Sequence, residues 1–253
     1  MSSAMSTAQQ PRQRLGILYP GHSAEDDYSV AQQLIGPEVA IHLVHTEMRV
    51  DAHREAALRD IGDAAILAAG AAQLGQVDSI IWACTSGSFI LGWDGAQRQV
   101  EALQRVAGVP ASSTSFAFVA AARCLHLRRV AVAATYPGDV AERFVEFLAR
   151  AGISVLRLSS RGIRTAAVLA TLEREDVLDF AEANDHPAAE AILLPDTALH
   201  TAGWLDELEA RVGKTVLTAN QVSLWQGLRL AGPQPGRAGL GTLFRVPAPQ
   251  EVG

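Results

Sequence analysis

SIIWACTSGSF (residues 79–89) is an apolar run that stops at a lone cysteine, Cys84, followed by small hydroxyl residues. A run without polar alternation, bounded by turn-forming residues, is the pattern of a strand buried on both faces. The thiol at its end has two readings. Free cysteine packs readily as a small hydrophobe, yet the carboxyl end of a buried parallel strand is where α/β folds place reactive groups.

Similar short runs recur outward from this one, at 15–19, 39–44, 129–134, 153–158, 190–194 and 214–217, with 78–83 as the run just quoted. Between them lie helical patterns at roughly 52–75, 94–107, 115–126, 138–151, 165–183, 203–212 and 220–231. This alternation predicts an α/β fold whose mainly parallel strands are covered by helices. Asp94, Asp139 and Asn220 stand where N-caps are favoured.

The chain also repeats itself. LYPG (18–21) is matched by TYPG (135–138), SIIWACT (79–85) by AILLPDT (191–197), and GVPASSTS (108–115) by GKTVLTAN (213–220). Three collinear pairs at about 110-residue spacing predict two structurally similar lobes. The expected division is a disordered leader at 1–13, a first lobe of 14–112 completed by a C-terminal helix at 220–246, and a second lobe of 113–219. Facing lobes would bring the paired strand ends to one interlobe cleft, setting Cys84 against Asp196 with Tyr19 and Tyr136 on the two sides.

Composition narrows the function. The 253 residues carry a net charge of −6 with no basic stripe, which argues against a nucleic-acid partner. No apolar stretch reaches membrane-spanning length. Two cysteines, Cys84 and Cys124, make neither a disulfide framework nor a metal cluster, so a reducing cytoplasm is the expected compartment. No GxxxxGK(S/T) loop, no GxSxG elbow and no zinc-ligand spacing occurs, and the glycines at 236–242 lie too late for a dinucleotide site. Neither cofactor nor metal is expected. A homo-oligomer is left open.

LGILYP, CTSGSF, LRRVAVAATYPGDV, AILLPDT and above all ANQVSLWQGLRLAG (219–232) carry a resemblance. From Leu15 to Phe244 the chain resembles the aspartate/glutamate racemase superfamily, in its maleate isomerase and arylmalonate decarboxylase branch. The resemblance implies two pseudo-symmetric α/β lobes, no cofactor or metal, and a site between the lobes to which each contributes a cysteine. Cys84 falls on the first of those positions. Thr85 and Ser86 match neighbours that bind a substrate carboxylate, and Tyr136 matches a tyrosine that donates to it. The second cysteine position holds Asp196, followed by Thr197 and Ala198. Asparagines found in the family's maleate isomerases are replaced here by His22 or Ser23 in the first loop and by Ala198 in the second.

Taken as residues, Cys84 is the expected nucleophile, favoured as a thiolate by convergent backbone N–H groups; Cys124, on a small-residue helix, is expected to pack. Asp196 would repel a bound anion if ionised, so it is either a proton donor or faces a cationic part of the substrate. Thr85, Ser86, Tyr136, Thr197, Ala198, Tyr19 and His22 form the expected substrate-binding set. The expected activity is cofactor-independent conversion of a small carboxylic or dicarboxylic acid through an enediolate-like intermediate. Cis–trans isomerisation by thiolate addition is favoured. The alternatives are a decarboxylase or racemase of an amino- or aryl-substituted acid, of the kind that includes an ectoine-utilisation protein, and a non-catalytic ligand-binding module.

Overall fold

The computed structural model describes residues 12–248. Most of the leader expected at 1–13 lies outside these residues, and Gln13 is already paired with Val39.

The chain runs β1 (Gln13–Pro20), α1 (Asp27–Ile35), β2 (Val39–Thr46), α2 (Glu55–Ile61), α3 (Ala64–Ala71), β3 (Ser79–Trp82), α4 (Ser86–Phe89), α5 (Gly92–Ala107), β4 (Ala111–Ser113) and α6 (Thr114–Cys124). It continues with β5 (Arg129–Ala134), α7 (Gly138–Arg150), β6 (Ser154–Ser160), α8 (Ala166–Leu169), α9 (Arg174–Ala183), β7 (Ala191–Leu194), α10 (Leu205–Val212), β8 (Thr215–Thr218), α11 (Ala219–Ala231) and α12 (Gly241–Arg245).

Two four-stranded parallel sheets result, ordered β2-β1-β3-β4 and β6-β5-β7-β8. Each is wound the same way, which is the expected repeat. In such an order the strand sequence reverses between the first and third strands, and the crevice beyond their carboxyl ends is the ligand-binding position of α/β sheets. Tyr19 and Cys84 leave β1 and β3 at that point of one sheet; Tyr136 and Asp196 leave β5 and β7 at that point of the other.

Strand alternation decides how the lobes join. On β5, Val130, Val132 and Ala134 belong to a core continuous with the first sheet, whereas Ala131 and Ala133 join a separate cluster with Leu178, Leu208 and Val216. Helix α11 lies on β1 and β3 and against α6, while α12 returns to β8 and α10. The close approach of α11 requires Gly227, where a Cβ would stand 2.3 Å from Leu15 Cδ1.

Several local expectations are corrected. The helix expected over 52–75 is two, because Gly62 ends α2 and the Asp63 side chain caps α3 by accepting from Ala65 N–H at 2.9 Å. The one expected over 165–183 breaks before Glu173, whose capping box with Asp176 starts α9. Asp94 and Asp139 lie within the first turn of α5 and α7 rather than capping them, where they meet the positive end of the helix dipole. Thr218, not Asn220, caps α11 through a box with Gln221. Asn220 is instead buried with Asp27.

That Asp27 joins three elements. Its carboxyl accepts from Thr201 N–H at 2.9 Å, Ala202 N–H at 3.2 Å and Asn220 Nδ2 at 3.0 Å, tying α1 to the loop after β7 and to α11. Burial pushes this carboxyl above its usual range, against the pull of those donors. Asp27→Ala would strand several buried donors, each costing about 1–3 kcal/mol. Urea denaturation is expected to show a loss on the order of 3 kcal/mol, and an unchanged midpoint would refute this role.

Candidate active site

The loop after β3 turns directly into α4, so the first N–H groups of that helix have no partner within it. Cys84 lies at this turn, 4% exposed. Gly87 N–H points at Cys84 Sγ from 3.3 Å, and Ser86 Oγ lies 3.9 Å from it. Position 87 is glycine for a steric reason, since a Cβ would stand 3.0 Å from that sulfur and 3.4 Å from Trp82 Cζ2.

Asp196, equally buried, follows Pro195 at the end of β7. Its Oδ2 accepts from Thr135 Oγ1 at 2.7 Å and its Oδ1 from Ala198 N–H at 2.9 Å. Two tyrosines hold the peptides on either side of it. Tyr136 donates its hydroxyl proton to Pro195 O at 2.6 Å, and Tyr19, from the other lobe, donates to Thr197 O at 2.8 Å.

Cys84 and Asp196 line one cavity with Ser86, Thr197, Ala198, Ser23 and an apolar wall that includes Pro20, Met48, Leu58 and Ile61. Its volume is about 30 Å³, roughly the share of one water in the liquid. The covering segment from Met48 to His53 forms one side of this space. Among the described residues no lysine or arginine lines the space.

His53 belongs to that covering segment and was not singled out from sequence. Its side chain is 8% exposed, and Nε2 stands 4.0 Å from Asp196 Oδ2. Nδ1 is 2.9 Å from Ile163 O, its backbone N–H donates to Arg164 O at 2.7 Å, and its ring meets that of Tyr136 edge-on at 5.1 Å. A lone histidine at the start of a predicted helix carries no spacing signal.

With two strand-end side chains from similar lobes at one cavity, comparison with known proteins is informative. The arylmalonate decarboxylase family model matches residues 40–244. The chain belongs to the arylmalonate decarboxylase family. It is 31% identical over 163 residues to the arylmalonate decarboxylase of Bordetella bronchiseptica, covering 63% of this chain and 68% of that one. A glycine-to-cysteine variant of arylmalonate decarboxylase in a sulfate-associated form superposes with a TM-score of 0.74 at 25% identity, covering 92% of this chain and all of the other. A cysteine-to-serine variant of Nocardia farcinica maleate cis-trans isomerase, with a covalently bound succinylcysteine intermediate, gives 0.81 at 19% identity over 92% and 98% of the two chains. The protein is thus an enzyme of this family, built on the two-lobed α/β fold that was expected.

Against that family frame, the expected set divides. Cys84, Ser86, Asp196, Thr197 and Ala198 line the cavity. Tyr19 and Tyr136 do not line it; their hydroxyls donate to backbone carbonyls of the loop that carries Asp196. Thr85 does not line it either; its buried hydroxyl comes near the Tyr136 phenol without hydrogen-bond geometry and has no other partner. His22 is on the surface, 73% exposed and paired with Glu25, and the cavity is reached from its loop by Ser23. Among the described residues no helix is long and apolar enough to cross a membrane.

Burial opposes the expected thiolate. Burial pushes the Cys84 thiol up to about 12, and the charge of Asp196 adds to this, while Gly87 N–H and Ser86 only partly oppose it. One aligned N–H does not outweigh removal of the sulfur from water. At pH 8 only about one molecule in 10⁴ would then hold a thiolate. Iodoacetamide should label Cys84 far more slowly than a free thiol, with the rate still climbing tenfold per pH unit at pH 10. A plateau near neutral pH would contradict the geometry.

Proposed function

We propose that this enzyme removes CO₂ from a small malonate-type acid and that Cys84 delivers the replacing proton. The observation that carries this reading is the buried Cys84 thiol, whose burial favours the protonated form, at a small cavity shared with Asp196 and walled on one side by apolar side chains. The bond between the α-carbon and one carboxyl group breaks, and its electron pair passes into the remaining carboxylate as an enediolate. Ser86 and Thr197, which line the cavity, supply the donors that stabilise that charge. The apolar side of the cavity, with Met48, Leu58 and Ile61, solvates a carboxylate poorly and so favours loss of the anionic charge from a departing carboxylate placed there. The Cys84 S–H bond then breaks as the proton moves to the α-carbon, and the thiolate left behind is a strong base that recovers a proton from Asp196 or solvent.

The 31% identity to an arylmalonate decarboxylase supports the same substrate class, an aryl- or otherwise apolar-substituted malonate. The apolar wall of Met48, Leu58 and Ile61 is chemically suited to such a substituent. A second reading is cis–trans isomerisation by addition of the Cys84 thiolate to a carbon–carbon double bond. It is favoured by the Gly87 N–H aimed at the sulfur, which stabilises a thiolate once formed. The raised Cys84 thiol weighs against it.

The two readings separate on a substrate panel. Phenylmalonate should release CO₂ while maleate stays unchanged. Conversion of maleate to fumarate without CO₂ release from any malonate would reverse the order. In either case Cys84→Ser should lower turnover by at least about 10²-fold, the scale of lost general acid catalysis, with the circular dichroism spectrum retained. Cys124→Ser should keep most activity, because Cys124 ends α6 packed against the core. Loss of activity in Cys124→Ser alone would show that the wrong thiol has been assigned.

A further inference from the structure

An anionic substrate entering this cavity meets two acids, Asp51 and Asp196, and no guanidinium or ammonium group. Asp51 is engaged elsewhere: its carboxylate accepts from Ala166 N–H at 2.7 Å and Ala167 N–H at 3.1 Å across the lobe boundary. Asp196 faces the substrate position with only neutral donors, Thr135 and Ala198, on its oxygens. Like charges a few ångströms apart in a poorly hydrated space repel strongly. The site needs a compensating group. Among the residues that line the cavity, His53 alone is able to supply a positive charge.

The tautomer of His53 is fixed by its surroundings. Ile163 O can only accept, so Nδ1 carries a proton, and Nε2 is the atom free to gain or lose one. Nε2 is also the ring atom that faces Asp196, 4.0 Å from Oδ2. The backbone bond to Arg164 O and the Tyr136 ring restrict any rotation away from it.

We propose that His53 is the counter-charge of Asp196, a positioning residue that makes the wall opposite Cys84 electrically neutral so that a carboxylate can bind. The two residues together stand where the resemblance places a neutral thiol. The inference rests on the anionic-substrate reading above. The other titratable groups placed with His53 are Tyr136, in ring contact, Asp196, and Cys84 and Asp51, which line the same cavity; Arg54 is its neighbour in the chain.

The test is a double-mutant cycle of His53→Asn and Asp196→Asn with two readouts. Asparagine at 53 can still donate to Ile163 O but does not reach Asp196 or carry a charge. Calorimetric binding of phenylacetate, an unreactive carboxylate, should weaken by at least tenfold in His53→Asn. In the Asp196→Asn background the same change should cost less than threefold. The second readout needs no substrate: iodoacetamide labelling of Cys84 at pH 9 should slow in His53→Asn, since Asp196 is then uncompensated, but not in the double variant. Equal effects of His53→Asn in both backgrounds, faster labelling, or no effect at all would overturn the proposal. Failure of the wild type to bind phenylacetate, with the labelling pattern intact, would instead reject the carboxylate substrate and leave the His53–Asp196 pair standing.

Discussion

Two phenol hydroxyls, Tyr136 on Pro195 O and Tyr19 on Thr197 O, hold the loop that carries Asp196, and the site's geometry depends on them. One comes from each lobe, at equivalent strand ends. Both are buried, and burial pushes both phenols above their ordinary range, so each remains a hydrogen-bond donor. Because carbonyl groups can only accept, the tyrosines fix the direction of the peptides on either side of Asp196. The side chain between them is thereby turned toward the cavity and toward Cys84. Asp27 and Asn220 hold the same loop from further along, since Asn220 Nδ2 also donates to Thr197 O at 3.1 Å. The interlobe boundary is therefore cemented by polar contacts around one loop, over an apolar core that is continuous between the sheets.

This construction sets the chemistry available. Burial of Cys84 favours its thiol form, and a thiol serves as an acid before it serves as a nucleophile. A single acid on one face of a planar enediolate adds its proton to that face only. Asp196 occupies the place of a second thiol but is held by Thr135 and Ala198 N–H, which keeps its oxygens oriented toward those donors. The two faces of the cavity are chemically unequal as a consequence.

Much of this was legible in the residues. Apolar strands without alternation gave away the parallel sheets, and the collinear repeats located the paired strand ends, so Cys84 and Asp196 could be placed together before any coordinates. What escaped had weak local signals. Helix α4 is built from SGSF, poor helix formers whose four residues are set by tertiary contact. Helix α1, with its buried Asp27, reads as polar loop until the network around Asn220 is seen. The tyrosines were expected at the site, but their bonds to Pro195 O and Thr197 O were not legible, because a strand-end phenol looks the same in sequence whether it faces a ligand or a carbonyl. His53 needed the third dimension altogether: it is 143 positions from Asp196, and only the covering segment brings them together.

The central claim, that Cys84 is the sole proton donor to an enediolate, is tested most directly by turnover of a methyl-aryl malonate in D₂O with analysis of the product's configuration. One donor on one face should give a monocarboxylic acid carrying a single deuterium at the α-carbon, in one enantiomeric form. A racemic deuterated product would contradict the account, because it would require protonation from both faces.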